Sequence, residues 1–180
     1  MHYSRTNAEV IAEGRWDEKS CVRRVGGYDI DKTKLPTGMK YLPKGTVLSF
    51  DSSTGKVAPC KTVVVHANAA KDATSLQVEK GHILLGTETI FGSTISAIDT
   101  SNTGYDVLTV TALAEAVTKG DVLSEAATNV IGLNYATVTI DDFPTCTPTL
   151  QAYEIEEDSL PYPVNDDIKA ALTVRHAWKV

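Results

Sequence analysis

The residues that could do acid–base or metal chemistry are spread thinly along the chain. Its four histidines are His2, His66, His82 and His176. His66 and His82 fall in different candidate strands, so they would have to meet in space to share a metal ion or a proton. Carboxylates cluster at Asp141-Asp142 and Glu156-Glu157-Asp158, without the alternating ligand spacing of a calcium loop. This pattern favours packed or solvated histidines and surface carboxylates over a metal site.

The three cysteines, Cys21, Cys60 and Cys146, are far apart and form no C-x-x-C pair. Such spacing predicts free thiols in a reducing cytoplasm, and neither a disulfide framework nor a zinc site. The sequence also lacks a phosphate-binding glycine loop, a nucleophile elbow and an H-E-x-x-H motif. We therefore predict a protein that is not an enzyme and uses no cofactor or metal.

The amino-acid composition narrows the class of protein further. The chain has 180 residues, of which 42% are hydrophobic and 22% charged, as expected for one globular unit with a sizeable core. The net charge of −6 argues against a nucleic-acid partner. Residues 1–44 carry a net charge of +3, and the remainder carries −9. No apolar run approaches the roughly 20 residues of a membrane helix, and no signal peptide is recognised, so we expect neither membrane insertion nor secretion.

The first 40 residues differ from the rest, and we predict an extended N-terminal arm over residues 1–40. A weak helical pattern covers residues 7–13, and Gly26-Gly27 is typical of a flexible joint. Its basic charge suggests docking on an acidic surface; scattered solvated charge is the alternative. The candidate partner-binding residues, of types enriched at interface hot spots, are Arg15, Trp16, Arg23, Arg24 and Tyr28. For Trp16, packing against the body of the same chain is an equal alternative.

Residues 41–180 are predicted to form a single β-rich domain, because short runs of threonine, valine and isoleucine alternate with turn residues. The nine candidate strands are Thr46–Phe50, Lys61–His66, Ser75–Val78, His82–Leu85, Thr94–Ile98, Tyr105–Val110, Asp121–Ser124, Tyr135–Ile140 and Leu150–Ile155. A Lys-Gly pair precedes three of the apolar runs, at Gly45, Gly81 and Gly120. Glycine there permits a positive φ and an abrupt strand start.

One short helix is predicted near the end of the sequence, from Asn165 to Leu172. Asn165 is a suitable N-cap, and Asp166 and Asp167 occupy the first turn, where the helix dipole favours acidic side chains. A closing strand is predicted over residues 173–180. The fold class expected is therefore mainly β: a barrel-like or sandwich domain of about nine short strands, with one short C-terminal helix and the extended arm.

Three passages resemble small virion proteins of tailed phages. The first is Leu42-Pro-Lys-Gly-Thr-Val-Leu-Ser-Phe followed by Ser53-Thr-Gly-Lys-Val-Ala-Pro59. The second is Ala70-Lys-Asp-Ala-Thr-Ser-Leu-Gln-Val followed by Lys80-Gly-His. The third is Leu160-Pro-Tyr-Pro-Val followed by Ile168-Lys-Ala-Ala-Leu172. Together they cover residues 35–125 and 158–175 and are similar to capsid decoration and head-fibre proteins.

The resemblance implies a β-barrel-like decoration fold, usually a homotrimer, on the outside of an icosahedral shell. Its matching positions are structural, so no binding residue is carried over from it. The expected function is that of a structural virion protein, made in the host cytoplasm, which attaches to the major capsid protein and stabilises or decorates the shell. The alternative is a tail or fibre module that recognises a host-surface glycan.

Overall fold

The computed structural model describes residues 13–172 and 175–179 of the chain. It is mainly β, with 44% strand and 7% helix, and its sheet curls into a half-barrel. The predicted fold class, with a single short helix in the last part of the chain, is therefore confirmed.

Sixteen short strands lie within the described residues. In chain order they are β1 (Arg15–Arg23), β2 (Tyr28–Asp29), β3 (Tyr41–Leu42), β4 (Val47–Asp51), β5 (Lys56–Pro59), β6 (Thr62–Val64), β7 (Ser75–Glu79), β8 (Thr89–Ile90), β9 (Ser93–Asp99), β10 (Tyr105–Val110), β11 (Val122–Ser124), β12 (Val130–Leu133), β13 (Val138–Thr139), β14 (Thr145–Cys146), β15 (Thr149–Glu156) and β16 (His176–Trp178). The helix α1 spans Asp166–Ala171, and two 3-10 turns span Lys32–Lys34 and Glu157–Ser159.

The pairing is almost entirely antiparallel. One sheet has the order β7-β10-β9-β8, and another has the order β12-β4-β5. A third sheet places β15 between β1 and β16, and its β15–β16 pair is parallel. Three two-stranded ribbons complete the body, pairing β11 with β6, β13 with β3 and β14 with β2.

The buried apolar side chains form three clusters. The first lies among β6, β7, β9, β10 and β11 and is centred on Val65, Val78 and Leu108. The second lies under β15 and α1 and contains Ile155 and Ile168, which are fully buried. The third lies under β3, β4 and β5. Small and β-branched residues supply most of this packing, in keeping with the low aromatic content of 7%.

Most of the predicted elements are present within a residue or two of their expected limits. The strand predicted over Tyr105–Val110 is β10, with the same limits. The helix α1 begins after Asn165, whose side-chain oxygen accepts a hydrogen bond from Ile168 N, as an N-cap does. The three glycines that follow lysine have φ values of 89° (Gly45), 91° (Gly81) and 94° (Gly120), which confirms their predicted left-handed conformation.

The strand predicted over His82–Leu85 is wrong, because this segment is a loop. The carboxylate of Glu88 accepts hydrogen bonds from the backbone N–H groups of Leu85 (2.7 Å), Gly86 (2.8 Å) and Thr87 (3.0 Å). A side chain therefore satisfies the donors that a strand would have paired with a neighbour. Ile83 and Leu84 remain buried without belonging to any sheet.

Two other segments also differ from expectation. Of the strand predicted over Tyr135–Ile140, only β13 forms, and β12 lies just before it in a stretch assigned no strand. Within the predicted arm, residues 13–40 pack on the body: β1 pairs with β15, β2 pairs with β14, and Ile30 and Leu35 are buried. Most of the weak helical pattern, residues 7–12, lies outside the described residues, as do residues 173, 174 and 180 of the closing strand.

Candidate docking surface

A short ribbon made of β2 and β14 packs on the third core cluster, and the loops that flank it carry the most exposed apolar side chains of the described chain. Thr145 pairs with Asp29, and Cys146 pairs with Tyr28. Backbone hydrogen bonds of 2.9 Å, from Ile30 N to Pro144 O and from Arg24 N to Pro148 O, fix its two ends. These bonds hold the connecting loops in defined positions.

One loop at the ribbon exposes Val25 and the other exposes Phe143. The accessibility of Val25 is 99%, and that of Phe143 is 90%. Gly26 (φ 88°) turns the chain immediately after Val25 in a conformation that other residues rarely adopt. At the other loop, Asp141 Oδ1 accepts a hydrogen bond from Phe143 N (3.0 Å), which forms a tight turn. We call these two exposed side chains the tips; Val25 lies beyond one end of the ribbon and Phe143 beyond the other.

Charged groups surround the Phe143 tip. The Lys32 ammonium donates to the carbonyl oxygens of Asp141 (2.9 Å) and Asp142 (3.3 Å), which fastens the loop to the 3-10 turn. A cavity of about 300 Å³ opens between this loop, Ile30 and Lys56. The surface thus combines an exposed aromatic side chain with a polar rim, which is the usual anatomy of a protein interface.

The structure brings two of the predicted site residues together, but in contact with the body. Lys44 Nζ lies 4.3 Å from the ring centroid of Trp16, and Arg23 Cζ lies 4.8 Å from that of Tyr135. The two ring centroids are 6.5 Å apart and the rings are tilted by 46°, so the four side chains form one group, which we call the cation–aromatic stack. Trp16 is 8% exposed and belongs to the second core cluster. Of the two alternatives for Trp16, packing on its own body is the one observed.

The other three predicted residues lie apart from that stack. Arg24 Nε donates to the carbonyl oxygen of Ile131 (2.8 Å), and Tyr28 packs edge-on against Phe50 with 5.8 Å between ring centroids. Arg15 is exposed and lies 3.5 Å from a carboxylate oxygen of Glu156. Arg24 and Tyr28 therefore position the ribbon, while its outward surface belongs to Val25 and Phe143.

Neither Val25 nor Phe143 is among the site residues predicted from the sequence. A signal was present: each is a large apolar residue in a turn segment, Val25 before Gly26-Gly27 and Phe143 after Asp141-Asp142. Turn segments are normally polar, so an apolar residue at such a position is either folded inward or offered to a partner. Sequence alone does not separate these two outcomes.

His66 and His82 have separate carboxylate partners. His66 Nδ1 lies 2.8 Å from Glu79 Oε1, and its ring stacks on Tyr105. His82 Nε2 lies 3.2 Å from Asp106 Oδ2, and burial lowers the pKa of His82 although Asp106 opposes that shift. Within the described residues, no three histidine, cysteine, aspartate or glutamate side chains are grouped as metal ligands. The geometry offers histidine–carboxylate contacts, one between His66 and β7 and one between His82 and β10.

The cysteines are free in the described structure. Burial raises the pKa of the Cys60 and Cys146 thiols to about 12, so both are protonated at neutral pH. A protonated, buried thiol is a poor nucleophile. These two side chains therefore act as small apolar groups in the core.

Comparisons with known proteins add no relative: no family model, curated protein or solved structure matches the chain. Among the described residues, no helix is long and apolar enough to cross a membrane.

Proposed function

We propose that this chain is a structural virion protein that attaches to the outer surface of a phage capsid, as a head decoration protein or the base of a head fibre. The resemblance of residues 35–125 and 158–175 to such proteins supports the class. The observation that supports attachment is the exposure of Val25 and Phe143, at 99% and 90%, in the two loops that flank the ribbon. We assign the contact with the major capsid protein to this ribbon.

The energetics of the two tips favour attachment by several copies at once. Burying one valine or phenylalanine side chain contributes about 1.5–3 kcal/mol, so both tips supply about 3–6 kcal/mol. Association entropy offsets much of this, and a millimolar Kd already needs about 4 kcal/mol. A single ribbon therefore binds weakly. Linking copies, as in the homotrimer that the resemblance implies, raises avidity by about 10²–10⁴-fold where the geometry allows simultaneous contact.

The test is co-sedimentation of the purified chain with phage capsids assembled without it, with native mass measurement of the free protein. We expect the wild type to bind as a trimer and the double variant V25S/F143S to lose binding with an unchanged melting temperature. Both side chains contact solvent, so their removal leaves the core intact.

The matched control is Leu85→Ser, which removes an apolar side chain that is 37% exposed in the loop containing Leu84 and Glu88. This variant should bind like the wild type. Full binding by V25S/F143S would exclude the ribbon as the contact. Absence of wild-type binding to the capsids would exclude attachment to the shell.

A further inference from the structure

A cavity of about 460 Å³ is lined by residues that lie outside the ribbon. The turn between β8 and β9 forms one wall; the other walls are the segment between β10 and β11, the end of β11 with the residues that follow it, and the start of α1. Its lining residues are Thr89, Phe91, Gly92, Ala114, Glu115, Ser124, Glu125, Ala126, Asn165 and Asp167. This volume is in the range of sites that enclose a small molecule or a side chain of a partner.

Phe91 stands at the mouth of this cavity in an unfavourable backbone conformation. Its φ is +50°, and with Gly92 (φ 74°) it forms the two-residue turn of the β8–β9 hairpin. Asparagine or glycine suits that position better than a bulky aromatic residue. The ring is 38% exposed, and Phe91 N donates to Ser124 O (3.0 Å), which fixes the turn against the wall after β11. The fold thus presents an aromatic face beside an open cavity.

The charged groups of the cavity are all acidic. Glu115, Glu125 and Asp167 line it, and no lysine or arginine does. The ammonium of Lys61 is itself paired with Glu88, and Glu125 accepts a 3.3 Å hydrogen bond from Lys61 N. Burial raises the pKa of Glu125, whereas the hydrogen bond from Lys61 N and the charges of Lys61 and Lys34 oppose that shift.

The neutral polar groups of the lining are largely engaged already. Asn165 donates through Nδ2 to Ser124 Oγ (2.9 Å) and accepts through Oδ1 from Ile168 N (3.0 Å). The hydroxyls of Thr89 and Thr94 bond to each other (3.2 Å). The groups left over are mainly carboxylates, which only accept hydrogen bonds when ionised. A sugar needs both donors and acceptors, whereas a guanidinium offers five donors and a positive charge.

We propose that this cavity is a socket for a basic side chain, preferably arginine, of a partner protein. The cation lies over the face of Phe91, the carboxylates of Glu115, Glu125 and Asp167 receive its donors, and the aliphatic stem lies along Ala114 and Ala126. Aromatic faces attract such cations, and acidic concave walls steer them inward. The socket is separate from the β2–β14 ribbon and does not depend on the capsid proposal.

The test uses the full chain and the acetylated, amidated peptide Gly-Arg-Arg-Gly, with the peptide containing citrulline in place of both arginines as the neutral isostere. Calorimetry gives the affinity, and amide chemical shifts give the location. We expect the arginine peptide to bind about tenfold more tightly than the citrulline peptide, with shifts at Gly92 and Ala114 and weaker binding as salt rises. Equal affinities, no binding at millimolar peptide, or tighter binding of the neutral disaccharide lactose would each overturn the proposal.

Two variants sharpen the test. Phe91→Asn removes the ring and places a residue better suited to the turn, so we expect about tenfold weaker peptide binding with an unchanged or higher melting temperature. Glu115→Gln should weaken binding with an unchanged melting temperature. The matched control, Asp158→Asn, removes an exposed carboxylate outside the cavity and should bind as the wild type does. Wild-type affinity in Phe91→Asn would overturn the proposal, as would equal losses in Glu115→Gln and Asp158→Asn.

Discussion

Two lysines, each paired with a glutamate, hold two regions of this molecule together in different ways. Lys44 pairs with Glu18 beside β1, where their side-chain accessibilities are 20% and 49%. Lys61 pairs with Glu88 in the interior, where the corresponding values are 3% and 5%. The first lysine also lies on the Trp16 ring, and the second faces a carboxylate that binds three backbone N–H groups.

The difference between these pairs shows how context sets the value of an ion pair. An exposed pair is screened by water and salt, so the stability of the β1 region depends chiefly on the burial of Trp16. In the interior, burial raises the pKa of Glu88, but hydrogen bonds from Lys61 and Leu85 N lower it below its usual value. Glu88 is therefore ionised and depends on its partner, since an unpaired buried charge is strongly unfavourable.

The largest effect is expected from Lys61→Met, which leaves the Glu88 carboxylate buried without its cation. We expect a loss of about 3–5 kcal/mol in the free energy of unfolding, measured by urea denaturation. The double variant K61M/E88Q should lose less than Lys61→Met alone, because the amide oxygen can still accept from the loop backbone without a buried charge. A loss below about 1 kcal/mol for Lys61→Met would show that the interior pair is as dispensable as an exposed one.

Trp16→Ala tests whether burial, more than charge, holds β1 to the body. Truncating a buried tryptophan typically lowers the free energy of unfolding by about 3–5 kcal/mol. We expect a loss of about 3 kcal/mol, because the Trp16 residue retains 8% exposure. Thermal and urea unfolding should agree on the loss. An unchanged free energy of unfolding would mean that β1 contributes little to the stability of the fold.

Acidification should weaken the β15–β16 contact at His176. Its Nδ1 donates to Leu172 O (2.6 Å), and its Nε2 accepts from the Thr149 hydroxyl (2.9 Å), so the neutral ring fits the site. Burial lowers the pKa of His176 below 6.5, the Leu172 carbonyl opposes this shift, and Arg24 adds to it. A histidine whose pKa is lower in the folded state than in the unfolded state stabilises the fold fully above its unfolded-state pKa. This stabilisation is lost as the pH falls from the unfolded-state pKa through the folded-state pKa.

We therefore expect the melting temperature to fall between pH 7.5 and pH 5, and the fall to be smaller in His176→Gln. Burial also lowers the pKa of His82, so this residue makes stability fall with pH in the same direction. His176→Gln retains His82 and therefore retains that part of the pH dependence. A pH profile that is identical in wild type and His176→Gln would rule out this histidine as the cause.

The smallest effect is expected from Lys44→Ala, at about 0.5–1 kcal/mol, because it removes one exposed ion pair and one cation–π contact. The loss should shrink at high salt, as screened interactions do. A loss equal to that of Lys61→Met would erase the distinction between the two lysines.

Local signals in the sequence predicted much of the fold. Three features depend mainly on residues close in sequence, and sequence patterns therefore predict them. They are the limits of β10, the N-cap at Asn165 and the left-handed glycines of the Lys-Gly turns. The segment His82–Leu85 was mispredicted as a strand because the Glu88 carboxylate, and not a neighbouring strand, accepts the hydrogen bonds of the backbone from Leu85 onward. Strand β1 was missed because its pairing with β15 contains repeated register shifts. These shifts remove the simple alternation of apolar and polar residues by which a strand is recognised in a sequence.

The docking surface was predicted less well, for a related reason. Trp16 and Arg23 have the residue types of an interface, but contacts with Tyr135 and Lys44, distant in sequence, place them in the cation–aromatic stack. Val25 and Phe143 have ordinary sequence contexts, and only the tertiary fold leaves them exposed. Exposure is a property of long-range packing, so residue type alone does not report it.

The pairing of β1 with β15 has a consequence for how the protein is made. Arg15 lies 141 residues before Glu156, its partner across the sheet. At about 5–20 residues per second, a ribosome needs roughly 7–30 s to supply the missing strand. During that interval the newly made β1, with Trp16 and Val22, has an unpaired edge. Slow translation between these two strands should therefore favour aggregation or chaperone capture of the nascent chain.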